Sequence, residues 1–313
     1  MTEQTYDFHG VRMLVHAQRP DVAEAVDTRL RHFRSAPASG QHDVAIELTD
    51  GRASAQALAV AGRPVYDTPF GPVTYDDASD QLWSDCAGQA WLDVRAGAGV
   101  AHLWATDARW LISHPLLTIA LVELLKRRSL FALHAAAMAT ADGAVVLFPG
   151  ASGAGKTTLA LGLLRLGWGF LGDDMVFLNE DMVLGFPDEV DVSDDTVALF
   201  PDLGPALHRP PAGGRAKRPL LVEDAFDAAP VRRGRPAAVV LPQVGAGCES
   251  RLTPMGPDDA LVALAPNVLL TDAVASQAHL DALGALVRSV PCFSLETGRD
   301  FERLGDAIHA IVG

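Results

Sequence analysis

Apolar side chains recur at every second position early in the chain, at Val11, Met13 and Val15 and again at Val44, Ile46 and Leu48. A period of two belongs to a strand with one buried face. Four further runs carry the same alternation: AQALAVAG from Ala55, PVTY from Pro72, AWLDV from Ala90 and VAHLWAT from Val100. VAEAVDTRLRHFR, from Val22, changes to helical spacing. These patterns predict a mostly antiparallel β (α+β) domain over residues 1–128. Its last element is HPLLTIALVELLKRR, a helix expected to join it to the rest, with Pro115 in the first turn where a missing N–H is harmless.

From about Ser129 apolar strands alternate with helices, which predicts an α/β sheet over residues 129–313. LFALHAAAMAT, the turn ADG and AVVLFPG read as a hairpin, TTLALGLLRLG as a helix and WGFLGDD as a returning strand. MVFLNEDMVLGF reads as a second hairpin turning at NED. Beyond it come the strand RPAAVVLPQ, the helices DDALVALAPNVL and HLDALGALVRSV, the strand CFSLET and the amphipathic helix DFERLGDAIHAIV. The acidic DEVDVSDD reads as a charged surface turn, with a second metal site for its carboxylates as the weaker alternative, and LGPALHRPPAGGRAKRPL as a loop.

Composition narrows the function. A net charge of -14 and a pI near 5.0 argue against nucleic-acid binding, which needs clustered Lys and Arg. Cys86, Cys248 and Cys292 are scattered and include no CxxC, so they read as reduced thiols. The polar opening MTEQTYDFHG lacks the form of a signal peptide, and LLTIALVELL is too short to span a bilayer. A cytoplasmic protein without a membrane partner is expected.

The chemistry centres on Gly150-Ala-Ser-Gly-Ala-Gly155-Lys156-Thr157, a complete G-x-x-x-x-G-K-[ST] loop between a strand and a helix. Its glycines let backbone N–H groups converge on phosphate oxygens, and the helix N-terminus adds positive potential. Gly150, Ala151, Ser152, Gly153, Ala154, Gly155, Lys156, Thr157 and Thr158 are therefore the candidate nucleotide-binding residues. Lys156 reads as a surface charge reaching the outer phosphates, and the Thr157 hydroxyl as a magnesium ligand. A chance glycine-rich turn is the bland alternative.

Asp173 and Asp174 follow Lys156 by seventeen and eighteen residues. A ten-residue helix leads about 15 Å away and a turn plus strand leads back about as far, so the pair lands beside the loop. Neighbouring strand residues point to opposite sides, which would aim one carboxylate at the metal and phosphates and the other elsewhere or at an acceptor. Both could instead be turn or cap acids. If the hairpin turns at Ala141-Asp142, His134 falls opposite Pro149 at the loop's mouth, although a histidine satisfied by a carbonyl is an equal reading. The basic segment with Arg209, Arg215, Lys217 and Arg218 could fold over the phosphates or be a solvated loop.

LHAAAMATADGAVVLFPGASGAGKTTLALGLLRLGWGFLGDD resembles the catalytic core of the HPr kinase/phosphorylase-like proteins, in which a strand histidine, a phosphate loop and an Asp-Asp pair follow in this order. PAAVVLPQ, SRLTPMGPDDAL and VPCFSLETGRDFERL are similar to the C-terminal half of divergent members. The likeness covers residues 129–313 and implies a P-loop kinase domain of the HPr kinase C-terminal type. With it come ATP and Mg²⁺, and phosphoryl transfer to a hydroxyl: a serine of a peptide or protein, or a small-molecule alcohol. Carried over by position, Lys156 and Thr157 bind phosphate and magnesium, Asp174 is the base, and Asp173, on the metal side, and His134 support the site. No Pro-Gly-Arg-Asn signature is present, so HPr itself is not the expected substrate, and a homo-oligomer is left open. The competing function is a nucleotide-binding regulatory or scaffold module, which would need the loop but not the two aspartates.

Overall fold

The computed structural model describes residues 1–36, 42–51, 62–68, 71–85, 88–103, 115–208, 217–226, 229–245, 247 and 249–312. AQALAVAG apart from Gly62, the end of VAHLWAT, Arg209, Arg215, Cys86 and Cys248 lie outside the described residues. The chain is mixed α/β and clusters into two compact units. Among the described residues the first draws on residues 1–130 and 270–276, and the second on residues 131–208, 217–269 and 277–312.

The first unit is built on one eight-stranded sheet. Its strands are β1 (Thr2–Phe8), β2 (Val11–Ala17), β3 (Val44–Asp50), β4 (Arg63–Thr68), β5 (Gly71–Asp76), β6 (Gln81–Asp85), β7 (Gly88–Asp93) and β8 (Ala98–Leu103). They lie in the order β1-β2-β3-β8-β7-β6-β5-β4. The pairings are antiparallel except β2 with β3 and β3 with β8, which are parallel. β1 turns into β2 through His9 and Gly10, both at positive φ, as a two-residue hairpin requires. Val22, Val26 and Leu30 of α1 (Pro20–Leu30) are buried, as are Tyr6, Phe8, Met13 and Val15 on the two strands it contacts. In α2 (Leu117–Lys126) the apolar run is interrupted by a buried ion pair, Lys126 Nζ to Glu123 Oε1 at 3.0 Å. The Tyr66 hydroxyl and the Thr271 hydroxyl donate to the two oxygens of Glu123, so the buried carboxylate is satisfied on both.

The second unit begins with β9 (Phe131–Leu133), β10 (Ala135–Ala139) and β11 (Ala144–Pro149), followed by α3 (Lys156–Arg165) and β12 (Gly169–Gly172). Next come β13 (Val176–Asn179), β14 (Met182–Gly185), β15 (Val190–Val192), α4 (Asp194–Leu199), β16 (Arg218–Leu220) and α5 (Val222–Ala225). β17 (Arg233–Val244), β18 (Arg251–Met255), α6 (Pro257–Leu264), α7 (Ala273–Ser289), β19 (Cys292–Thr297) and α8 (Phe301–Val312) complete it, α7 entering this unit at Gln277. The sheet runs β12-β10-β11-β17-β14-β13-β9, with β19 on the second half of β17 and β18 outside it. β11, β17 and β19 are mutually parallel. β12, antiparallel to β10, runs in the same sense as β11, so their C-terminal ends share one edge.

Both faces of this sheet are covered, which is why its central strands read as unbroken apolar runs. Val146 and Phe148 enter a core with Leu159, Leu163, Leu304 and Ile308 of α3 and α8. Val145 and Leu147 enter the opposite core with Leu283 and Val287 of α7.

Three local expectations change. The first hairpin has a three-residue loop, Ala141-Asp142-Gly143, so Ala135 and not His134 stands opposite Pro149. The strand also breaks at His134, because β9 leaves that ladder to pair with β13. DEVDVSDD is no surface turn: Val190 and Val192 are buried on β15, which pairs with β16, and Ser193 caps α4 by accepting from the Thr196 N–H at 3.3 Å.

Candidate functional site

The G-x-x-x-x-G-K-T loop leaves β11 at the C-terminal edge of the parallel strands, where open α/β sheets place their ligands. Gly153 and Gly155 hold φ of 86° and 91°, the left-handed backbone that turns N–H groups inward and that a side chain would strain. Gly155 is the N-cap of α3, so the positive end of that helix opens at the loop.

Lys156 is buried, at 6 % exposure, and is not the surface charge expected. Its Nζ donates to the carbonyls of Gly150 at 2.7 Å and Ala151 at 3.2 Å. It also lies 3.1 Å from His134 Nε2. Burial holds the ammonium below the usual lysine range and the neighbouring Lys217 adds to this, against the charges of Asp174 and Asp173. His134 Nδ1 is 2.8 Å from the Asp174 carbonyl oxygen. A carbonyl only accepts and an ammonium only donates, so Nδ1 carries the proton and Nε2 takes the lysine's. The backbone N–H of His134 is fixed by the Asn267 carbonyl at 2.8 Å.

The two aspartates have opposite environments. Asp173 is 6 % exposed and accepts a 2.7 Å hydrogen bond from the Thr157 hydroxyl on Oδ2, while its buried Oδ1 has no hydrogen-bond partner among the described residues. Burial and then the Asp174 charge push its carboxyl up to about 7, against the Thr157 hydrogen bond and the ammonium groups of Lys156 and Lys217. The Asp174 side chain is 77 % exposed, with Oδ1 3.6 Å from His134 Nδ1. Both aspartates lie in the bend just past β12 and not on the strand, and there one carboxylate is dry and the other is wet and lines the cleft.

That cleft has a volume of about 440 Å³ and is lined by the loop, Asp174, Lys217 and Phe301, among others. Its walls contain residues that sequence reasoning did not single out. Thr158 Oγ1 is 2.8 Å from Thr196 Oγ1 of α4, whose cap is the pattern Ser193-Asp-Asp-Thr, a legible helix start. Thr297, Gly298 and Arg299 form another wall, where the Thr297 hydroxyl donates to the Gln243 carbonyl at 3.0 Å and Ser250 bridges Gly298 N–H and Asp300. Ser250 and Asp300 are fifty residues apart, and no local pattern announces their contact. The basic segment divides: Lys217 reaches the cleft, whereas Arg218 pairs with Asp194 at 3.3 Å. Among the described residues no three His, Cys, Asp or Glu side chains gather as a metal cluster, and no helix is long and apolar enough to cross a membrane.

No family model matches the chain, and no curated protein matches it in sequence.

Proposed function

We propose that the chain is an ATP-dependent kinase, its second unit a P-loop domain of the HPr kinase type transferring the γ-phosphoryl group to a hydroxyl. The acceptor is a serine of a peptide or protein, or a small-molecule alcohol. The observation that carries this reading is the division of labour at Asp173 and Asp174: a buried carboxylate on the hydroxyl of Thr157, a cleft residue, and an exposed one that lines the cleft itself, both acting on Lys156. A module that only binds nucleotide needs the loop and has no use for the second carboxylate.

In this reading the loop N–H groups and the α3 N-terminus bind the β- and γ-phosphates, and Lys156 swings from the Gly150 and Ala151 carbonyls to the phosphate oxygens. Magnesium suits Thr157 and Asp173, because hard oxygen donors face one another there and Oδ1 of Asp173 lacks a protein donor; when bound it neutralises phosphate charge. Asp174 takes the proton of the acceptor hydroxyl as that oxygen forms its bond to the γ-phosphorus. The bond from phosphorus to the bridging oxygen breaks, and ADP leaves with that electron pair. His134, donating to the Asp174 carbonyl, holds the backbone from which the base projects.

Incubation with γ-labelled ATP, Mg²⁺ and a panel of peptides and metabolites tests this. Label transferred to a hydroxyl is the expected result. Tight ATP binding with neither transfer nor hydrolysis would make the chain a nucleotide-binding module.

A further inference from the structure

We infer that Lys217 is a catalytic residue of the same site, its ammonium contacting the equatorial oxygens of the phosphoryl group as it passes from ATP to the acceptor. The inference rests on the phosphotransferase reading and deepens it.

Three observations single out this lysine. It lines the cleft together with Lys156, Thr157 and Asp174. Its side chain is half-buried and has no carboxylate partner among the described residues, unlike Arg218, which holds Asp194, and Arg165, which holds Asp202. Its backbone is also set: Arg218, the next residue, pairs with Val192 in the β15–β16 ladder, and its ion pair ties the strand to the first residue of α4. A long flexible cation is thus delivered into the cleft from a fixed base.

The lining that holds Lys217 also holds Lys156, Thr157 and Asp174, the groups that surround the transferring phosphoryl in this reading. Lys156 and the helix N-terminus already neutralise the phosphates in the ground state. Charge that spreads over the equatorial oxygens during transfer needs a further cation, and Lys217 enters the lining from the β15–β16 ladder, outside the phosphate loop.

The test pairs turnover with a transition-state mimic. Lys217→Met, with Lys217→Gln as a second variant, is compared with wild type for ATP turnover, for ADP affinity by calorimetry, and for the tightening of ADP when aluminium fluoride and Mg²⁺ are added. The expected result is turnover lowered about 100-fold or more and loss of the fluoride-dependent tightening, with melting temperature unchanged and ADP affinity within about threefold. Wild-type turnover and tightening in both variants would overturn the inference and leave the kinase reading intact. A loss of ADP affinity as large as the loss of turnover would also overturn it, making Lys217 a ground-state binder. If wild type itself neither turns over ATP nor tightens on ADP with fluoride, the phosphotransferase reading fails first and the inference falls with it.

Discussion

Replacing Asp173 by asparagine should stabilise the nucleotide-free protein while disabling it. In the folded chain the carboxyl is pushed from 3.8 up to about 7, first by burial and then by Asp174. The sign follows from proton counting: between pH 4 and 7 the folded state keeps a proton that the unfolded state has released, so stability falls as pH rises through this window and levels off above it. The interval from 3.8 to about 7 corresponds to roughly 4 kcal/mol. This is an upper bound, because relaxation and water entry reduce the cost of a buried charge. Asparagine keeps an oxygen to accept from the Thr157 hydroxyl and carries no charge to desolvate. In urea unfolding followed by circular dichroism, the two proteins should be equally stable near pH 4, and the variant more stable by about 2–4 kcal/mol at pH 8. Titrations of groups that do not feel the Asp173 charge are common to both and cancel in the difference; Lys156, whose ammonium that charge favours, is the exception. ATP with Mg²⁺ should raise the melting temperature of wild type and do so much less for the variant, which has lost a charged ligand. A difference that stays constant from pH 4 to 8, or a variant no more stable than wild type at pH 8, would refute the reasoning.

Asp174→Asn should lower phosphoryl transfer, or basal hydrolysis, by roughly two to four orders of magnitude with ATP affinity little changed; wild-type turnover would remove Asp174 as the base. Lys156→Met should abolish most ATP binding by calorimetry yet leave the melting temperature within a few degrees, since it exchanges a desolvated ammonium for an apolar chain of similar length. Unchanged affinity would contradict the phosphate assignment. Gly162→Ala should destabilise the fold by about 1–3 kcal/mol in urea unfolding, because a Cβ there would stand 2.5 Å from Cδ1 of Phe301 at the start of α8; an unchanged midpoint would mean that α8 shifts freely.

Much of the site was legible because its information is local. A strand, a glycine-rich turn and Lys-Thr at a helix start form one continuous stretch, and the counting that returns Asp173 and Asp174 to it uses only the rise of a helix and a strand. The Glu180-Asp181 turn between β13 and β14 was equally readable, since apolar runs flank it on both sides. The segment around His134 was less so. One extra residue in the Ala141–Gly143 loop moves the pairing by one position, and hairpin loop length is weakly encoded in sequence. Lys217 was visible only as one of several basic residues in a loop; the ladder that aims it into the cleft joins Val192 to Arg218, and VDV is too short a run to read as a strand.

By itself, then, the sequence determined where apolar faces recur, where the chain can turn tightly, and which residues able to handle phosphate lie within reach of one another along the chain. Tertiary structure alone decided burial and partnership. Asp173 and Asp174 are adjacent and chemically identical, yet one is buried on the Thr157 hydroxyl and the other is in water. Lys156 is likewise a buried ammonium on two carbonyls and His134 in place of a solvated charge. Desolvation depends on every atom that surrounds a group, and the groups acting on Lys156 and Asp173 arrive from as far apart along the chain as His134 and Lys217, so no local pattern could contain it.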